Sequence, residues 1–554
     1  MKLKRSIKKR MLSIWRIGRI GLMVIIALAV ATACAGNQTQ TQAPSQAQEQ
    51  SQTQESATQS SSETTQAQAA SQDNAAPVVV DWYLNETQMP DDQMVLDAIN
   101  EYVEPLIGAT VNIHNLGTDY ATKMPVMLSS GEDLGIVRFG LTGVEYRIQS
   151  QQGVFMAIED LLDLQGAKIK PLFRQEIWDG FKVNGHLYGL PCLKDNAYII
   201  SFVYNADLAD KLGLDMSNFP AEYKNWLALE PFLNDAMEKR TELLGDVVEP
   251  LTGGLNAPEV PCWFALYSMF SESYYACFNI EGINEIEGYD SKTAFNLYAT
   301  DEYREMCKMA SRFRENNIIV DDYTGKEEWN YGGNMLMFLN WGYTPSAPDN
   351  LYGDNFKTKV TPPSRLWIDL NNYIGVGLSI TANCKYSVEA MKFLELAYTD
   401  PKLATLLRFG IEGQHYVQDS TGALTLENSP RNSDPTARGY LRWYGGPMGN
   451  MLITNGPESH VGKDQSILKE IEQYNNEALY PPVSGFAFDN ASVVNEIAAC
   501  NNVVNEYRQT LVTGMLQESE VDEIVDAYIA KLEANGVQKI IDEAQRQADE
   551  WLAK

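Results

Sequence analysis

Short apolar runs alternate with amphipathic stretches after residue 76, and this alternation predicts strands separated by helices. Apolar runs rich in strand-forming residues cover 77–83, 109–114 and 133–139. Apolar residues at helical spacing cover 93–102 and 121–130. The order strand, helix, strand, helix, strand predicts an α/β fold with mainly parallel sheets flanked by helices.

Polar and aromatic residues stand at the ends of these predicted strands. In open sheets of this kind, ligands bind beyond the carboxyl ends of the strands. We therefore predict that six residues at those ends face a ligand: Trp82, Tyr83, Asn85, Glu86, Arg138 and Phe139.

A further strand-to-helix unit covers residues 185–215. An apolar and aromatic run over 197–204 predicts a strand. Asp207 is the predicted N-cap of a helix that ends at Gly213. Near the C-terminus, apolar spacing predicts two helices that are separated near Asn535.

The first 33 residues have the pattern of an export signal. Basic residues precede an apolar segment at 20–30, which is too short to cross a membrane. Small residues then precede Cys34, which resembles the lipobox of bacterial lipoproteins and implies a diacylated N-terminus at Cys34. The alternative is a plain secretory signal cut near Ala33. Residues 34–76, mostly Gln, Ser, Thr and Ala, predict a disordered tether because they cannot bury enough apolar surface.

The net charge of the chain limits the classes of ligand and partner that it can bind. The chain has 73 acidic and 43 basic residues, a formal net charge of −30, which argues against a nucleic-acid partner. This acidity suits a neutral or a cationic ligand. The cysteines after Cys34 form no Cys-x-x-Cys pair, and the sequence contains no metalloprotease, nucleophile-elbow or phosphate-loop motif. We therefore predict no catalytic residue, metal or cofactor, and the cysteine pair that we would test for a disulfide is Cys262 with Cys277.

Several segments resemble carbohydrate-type solute-binding proteins of ABC importers, which are similar to maltose-binding protein. They are the strand-to-helix unit at 185–215, the helix beginning Ser-Val-Glu-Ala-Met-Lys-Phe-Leu at Ser387, the Thr-Asp-Pro sequence after it, and the Gly-Ile-Glu-Gly turn at Gly410. The likeness is to a lipoprotein branch with an extended helical C-terminal region. It implies two α/β lobes of the type II periplasmic-binding-protein fold, joined by hinge strands.

The resemblance implies a division of the chain. The segments are a signal peptide at 1–33, a tether at 34–76, a first lobe at 77–195 plus 340–380, a second lobe at 196–339 plus 381–480, and a helical extension at 481–554 packed on the lobes.

The resemblance also implies ring platforms for a sugar in the cleft. Trp341 would lie at the cleft mouth, and Tyr343 would share its face if the chain is extended. Trp263 stands at a helix start where related sugar binders carry a ring. The other candidates are Trp367, Trp443 and Phe488.

The implied function is capture of a carbohydrate, of oligosaccharide size, and its delivery to the permease subunits of an ABC transporter. The protein would be a monomer held by a lipid anchor on the outer face of the cytoplasmic membrane. Rings stack on the C–H faces of pyranoses, and polar side chains bind the hydroxyls. Two alternatives stay open: an extracellular enzyme that acts on glycans, and a surface glycan-binding or sensory module without transport.

Overall fold

The structure is a computed structural model. It describes residues 78–140, 144–216, 219, 226–245, 247, 251–253, 266–270, 273–281, 283, 286–319, 333–341, 344–349, 351, 356–363, 365–442, 449–486 and 488–553. Among these residues, no helix combines the length and the apolar character that a membrane crossing needs.

Strands and helices are numbered along the chain. The strands are β1 (Val79–Leu84), β2 (Thr110–Asn115), β3 (Ile136–Gly140), β4 (Leu190–Pro191), β5 (Ala197–Asn205), β6 (Thr252–Gly253), β7 (Tyr267–Phe270), β8 (Ser273–Phe278), β9 (Met337–Trp341), β10 (Thr358–Val360), β11 (Arg365–Ile368), β12 (Val376–Ile380), β13 (Val417–Gln418) and β14 (Leu424–Thr425). The helices are α1 (Asp92–Ile107), α2 (Tyr120–Ser130), α3 (Tyr146–Gln151), α4 (Glu159–Gln165), α5 (Gln175–Phe181), α6 (Ala206–Leu212), α7 (Glu230–Leu244), α8 (Asp301–Glu315), α9 (Leu370–Ile374), α10 (Ser387–Thr399), α11 (Pro401–Phe409), α12 (Glu458–Val461), α13 (Ser466–Glu477), α14 (Val494–Val512), α15 (Glu518–Ala534) and α16 (Val537–Leu552).

The first sheet has the strand order β2-β1-β3-β12-β4. Strands β2, β1 and β3 are parallel, as the alternation of strands and helices predicts. Strand β12 is antiparallel to β3 and to β4, because it arrives from the other sheet. Alternate residues of β1 are buried, and Phe393 of α10 packs edge-on against Trp82 with ring centroids 5.5 Å apart. This sheet and its helices bury one hydrophobic core.

Helices α10 and α11 lie in this first lobe. They pack against α4 and α1, and the Tyr102 hydroxyl of α1 donates to Asp400, the N-cap of α11, at 2.7 Å. The sequence-based division placed 381–480 with the second lobe, whereas the packing of α10 and α11 places this part of that range with the first. The difference arises because the buried face of α10 belongs to the core under β1.

The second sheet has the order β10-β5-β9-β6, with β11 also paired to β5. Strand β5 is antiparallel to β9, β10 and β11, and only the short β6 is parallel to its neighbour β9. The expectation of mainly parallel sheets therefore holds for β1, β2 and β3 and not for this sheet. The reason is that β5 leads the chain away from the first lobe while β11 leads it back.

The C-terminal helices complete the second core. Helices α14 and α15 pack on α8, and α16 packs on β8. The predicted interruption near Asn535 falls between α15 and α16. Cys277 of β8 is a free thiol, fully buried in this core. Cys262, the partner that we would test for a disulfide, lies outside the described residues.

Two described segments connect the lobes. Residues 192–196 join β4 to β5, and residues 369–375 join β11 to β12. Asn372 Nδ2 of the second segment donates to the Asn196 carbonyl of the first at 3.2 Å. The helix that follows β5 is capped by Asn205, whose side chain accepts from the Leu208 amide at 3.0 Å, and not by Asp207 as predicted.

Candidate ligand-binding pocket

A cavity of about 920 Å³ opens between loops that belong to the two sheets. Met89 and Pro90 follow β1 of the first sheet, whereas Ala347 and Pro348 follow β9 of the second. Asp195, in the segment that joins the lobes, also lines it. The other described residues of its wall are Leu351, Arg408, Pro435, Thr436, Ala437, Arg438, Leu441, Arg442, Ser459, His460 and Ile467. Its size and its mostly apolar wall with a few polar groups are typical of a small-ligand site.

The loop at 431–442 forms one side of the pocket and is held by its own hydrogen bonds. The Asn432 side chain donates to the Tyr440 carbonyl at 2.5 Å and accepts from the Tyr440 amide at 3.1 Å. The Gly439 amide donates to the Arg431 carbonyl at 2.8 Å. These bonds close the loop on itself, so the side chains that it presents to the pocket start from a fixed backbone.

Asp91 fastens this loop to the start of α1. The carboxylate is almost fully buried and accepts hydrogen bonds from the guanidinium of Arg431 and from His415 Nε2, the latter at 3.3 Å. The Asp91 amide donates to the Gly439 carbonyl at 3.0 Å. A Cβ at Gly439 would collide with the Asp91 carboxylate, so the contact requires glycine. The hydrogen bond from Arg431 is the main cause that lowers the pKa of Asp91.

Arg442 makes a second connection to the loop after β1. Its guanidinium donates to the Thr87 carbonyl and to the Asp92 carboxylate. Asp92 also accepts from the Met89 amide at 3.0 Å. Burial raises the pKa of the neighbouring Glu86, against the opposing charges of Arg442 and Arg138. The loop after β1 therefore carries paired charges directly beside the pocket.

Three aromatic residues predicted to face a ligand are buried in the cores. Trp82 and Phe139 are both 0 % exposed in the core of the first lobe. Trp367 is buried in the second core, stacked on Tyr198 with ring centroids 4.8 Å apart. These placements correct the prediction. Side chains alternate across a strand, and Trp82 shares the buried face of β1 with Val80 and Leu84.

The other predicted residues of the first lobe lie near strand ends with different surroundings. Tyr83 points to the opposite face of β1 and stacks on His114 with ring centroids 4.2 Å apart. Asn85 and Glu86 are half-buried, and Arg138 is buried. Glu86 lies within electrostatic reach of both Arg138 and Arg442, and Arg442 lines the pocket. None of these predicted residues is among the described residues of the pocket wall.

The remaining predicted residues are described only in part. Phe488 is half-buried and packs on the second core. Trp341 ends β9, but its side chain is outside what the structure describes, and Tyr343, Trp263 and Trp443 lie outside the described residues.

Arg408, Arg438 and His460 were not predicted from the sequence. They are far apart along the chain and belong to no recognisable motif. The described part of the chain contains no group of three or more His, Cys, Asp or Glu side chains arranged to hold a metal ion.

Comparisons with known proteins agree with this architecture. Residues 482–553, which contain α14 to α16, match the family described as "Domain of unknown function (DUF3502)". The chain is 25% identical over 499 residues to a protein of Streptococcus pneumoniae serotype 4 named carbohydrate ABC transporter substrate-binding protein, covering 88% of this chain and 93% of that protein.

Solved structures share the fold. The crystal structure of the N-glycan transport solute binding protein NgtS from Streptococcus pneumoniae superposes with a TM-score of 0.69 at 22% identity, covering 86% of this chain and 99% of that one. The chain has the solute-binding-protein fold. An extracellular solute-binding protein from Bifidobacterium longum subsp. infantis superposes with a TM-score of 0.53 at 16% identity, covering 85% of this chain and 98% of that one.

The solute-binding-protein fold accounts for the position of the cavity. Two cores, two described connecting segments and a cavity between loops of the two sheets are the parts of a two-lobe fold. The resemblance to carbohydrate-type solute-binding proteins that the sequence motifs predicted is confirmed by these matches.

Proposed function

We propose that this protein captures an oligosaccharide in the pocket between its lobes and delivers it to the permease subunits of an ABC importer. One observation carries the proposal: the cavity of about 920 Å³ is lined by loops that follow strands of both sheets, in a chain similar over most of its length to a carbohydrate ABC transporter substrate-binding protein. A ligand that touches both lobes favours the closed arrangement because it binds that arrangement more tightly. Binding without turnover is part of the proposal.

Aromatic residues beside the pocket in sequence are the proposed sugar platforms. Trp443 directly follows Arg442, and Tyr343 precedes Ala347 by four residues. We propose that these two rings and Trp341 stack on pyranose faces, while Asp195 accepts hydrogen bonds from hydroxyl groups. Trp263 belongs to the same proposal.

Calorimetry of the purified chain with a panel of oligosaccharides tests the function. We expect at least one oligosaccharide to bind with a dissociation constant in the micromolar range or below. The heat-capacity change of binding should be negative, because apolar surface is buried. Incubation with the same panel should release no reducing ends. Release of reducing ends, or tight binding of a peptide with no glycan binding, would overturn the proposal.

We further propose that Cys34 is the lipid-anchored N-terminus of the mature protein, which holds one binding domain at the outer face of the cytoplasmic membrane. The small residues before Cys34 and the tether after it support this. The wild-type protein is expected to sediment with membranes of a bacterial host, and the Cys34→Ala variant to be lost from the membrane fraction. A mature N-terminus that begins at Cys34 without lipid, by mass spectrometry, would contradict the anchor.

A further inference from the structure

The pocket has a basic wall in a strongly acidic chain. Arg408, Arg438 and Arg442 all line it, whereas Asp195 is the one carboxylate among its described lining residues. Asp195 is already paired with Lys194, with the ammonium nitrogen 3.0 Å from the carboxylate oxygen. The local charge is therefore opposite in sign to the chain's net charge of −30. Overall acidity, which favours a neutral or cationic ligand, does not describe this site.

Two of the three arginines have protein partners. Arg442 is paired with Asp92, and Arg408 is 1 % exposed and donates to the Thr454 hydroxyl at 3.1 Å. These contacts hold the two guanidinium groups in the wall. They supply positive potential to the pocket while part of their hydrogen-bonding capacity is already used.

Arg438 differs from them. It is half-buried, its buried Nε has no acceptor, and its other guanidinium N–H groups donate to no side chain or carbonyl among the described residues. Its guanidinium also has no carboxylate within ion-pair distance in the described part of the chain. A guanidinium has five donors in a planar fork that matches a carboxylate. A buried donor without an acceptor is costly, so a ligand that supplies one gains affinity.

The surroundings of His460 show that the charges of Arg408 and Arg438 act on the same part of the pocket. Its side chain is beside Ser459, with Nδ1 2.9 Å from the hydroxyl oxygen. Burial first, and then the positive charges of Arg408 and Arg438, lower the pKa of His460 to about 4. The imidazole is therefore neutral at pH 7, and both guanidinium groups act on the same corner of the pocket.

Hydrogen bonds within the protein hold the loop that carries Arg438 in place before a ligand binds. Its neighbour Gly439 is bonded to both Asp91 and Arg431, and Tyr440 is bonded to Asn432. A donor on such a loop loses little conformational entropy when a ligand binds. The arrangement resembles a prepared anion site more than a flexible surface arginine.

We propose that the saccharide bound in this pocket carries a carboxylate, as uronic or sialic acids do, and that Arg438 binds that carboxylate through its paired N–H groups. The inference rests on the proposed function and adds the chemical class of the sugar. Arg408 and Arg442 contribute the surrounding positive potential. A neutral sugar of the same shape leaves the Arg438 donors without an ionic partner and binds more weakly.

Matched pairs of saccharides test this by calorimetry on the full chain. Each pair consists of an acidic oligosaccharide and the same oligosaccharide after reduction of its carboxylate to an alcohol, with oligogalacturonates and a sialylated glycan as the two probes. We expect an acidic member to bind at least tenfold more tightly than its neutral counterpart, and the preference to weaken as salt is raised. Arg438→Gln is expected to remove the preference by weakening only the acidic member.

Arg546→Gln is the matched control, because Arg546 lies on the exposed face of α16, paired with Glu543 and Glu550. It should leave both affinities unchanged. A thermal melt of Arg438→Gln like that of the wild type shows that any loss is local. Equal affinity for both members of each pair, or an equal loss for both in Arg438→Gln, overturns the inference and leaves the proposed function standing. Failure of every saccharide in both this set and the neutral panel overturns the function itself.

Discussion

Replacing Asp91 with alanine is expected to lower the free energy of unfolding by about 3 kcal/mol, because the buried His415 loses its acceptor and the exposed Arg431 loses a charge-assisted hydrogen bond. Asp91 is 4 % exposed and accepts from both Arg431 and His415. The change removes these acceptors and loosens the loop at 431–442 that forms one side of the pocket. Urea unfolding followed by circular dichroism measures the loss.

The matched control is Asp97→Ala on the exposed face of α1, where the Asp97 carboxylate accepts a hydrogen bond from the Gln93 side chain. We expect it to change the free energy of unfolding by less than about 0.5 kcal/mol. The pKa of Asp91 is lowered in the folded state, so its contribution is complete above the unfolded value and is lost as pH falls through the folded value. The difference between wild type and Asp91→Ala should therefore shrink in strong acid. Equal midpoints for Asp91→Ala and Asp97→Ala at pH 7 would show that the contact is not structural.

The alternation of strands and helices in the first lobe could be predicted from the sequence, because each strand and each helix has its own local pattern of apolar residues. Apolar runs of strand formers became β1, β2 and β3, and helical spacing became α1 and α2, with boundaries shifted by a few residues. The helix after β5 was also predicted, yet its N-cap was assigned two residues late. Asn205 and Asp207 are both good capping residues, and only the backbone at Asn205 decides between them.

The direction in which the side chains of β1 point was harder to predict from the sequence. Trp82 stands at a strand end, where ligands bind, but it is two residues from Val80 and therefore shares its face. The parity of the strand directs Trp82 into the core and Tyr83 out of it. The alternation of buried and exposed residues along β1 therefore predicts the direction of the Trp82 side chain better than its position at the strand end does.

The basic wall of the pocket could not be predicted from local patterns. Arg408 lies in the last turn of α11, Arg438 lies in a loop, and His460 belongs to α12, so only tertiary packing brings them together. The negative net charge of the chain predicted a neutral or cationic ligand, because net charge is summed over the whole surface and most of that surface does not contact the ligand. Composition therefore constrains solubility and bulk partners far better than it constrains one enclosed site.

Replacing Asn475 with alanine is expected to lower the free energy of unfolding by about 2 kcal/mol, because the Ala197 amide loses the Asn475 acceptor, while the Asn196 amide and the Lys194 carbonyl keep only their bond to each other. Asn475 lies on α13 and is 6 % exposed. Its Oδ1 accepts from the amides of Asn196 and Ala197 at 3.0 and 2.8 Å, and its Nδ2 donates to the Lys194 carbonyl at 2.6 Å. One side chain thereby fixes the segment that joins the lobes and carries Asp195 into the pocket.

Hydrogen exchange gives the local test of this role. The amide of Ala197 should exchange at least tenfold faster in Asn475→Ala than in the wild type, since it loses the Asn475 acceptor, and the Asn196 amide, which keeps the Lys194 carbonyl, should change less. Asn476→Ala is the matched control, because Asn476 is the next residue of α13 and is exposed. Asn475→Asp keeps an acceptor for the two amides and loses the donor to Lys194, so its stability should fall between the other two. If Asn475→Ala instead unfolds and exchanges like Asn476→Ala, the connecting segment is held by its strand pairing and the Asn475 contacts are incidental.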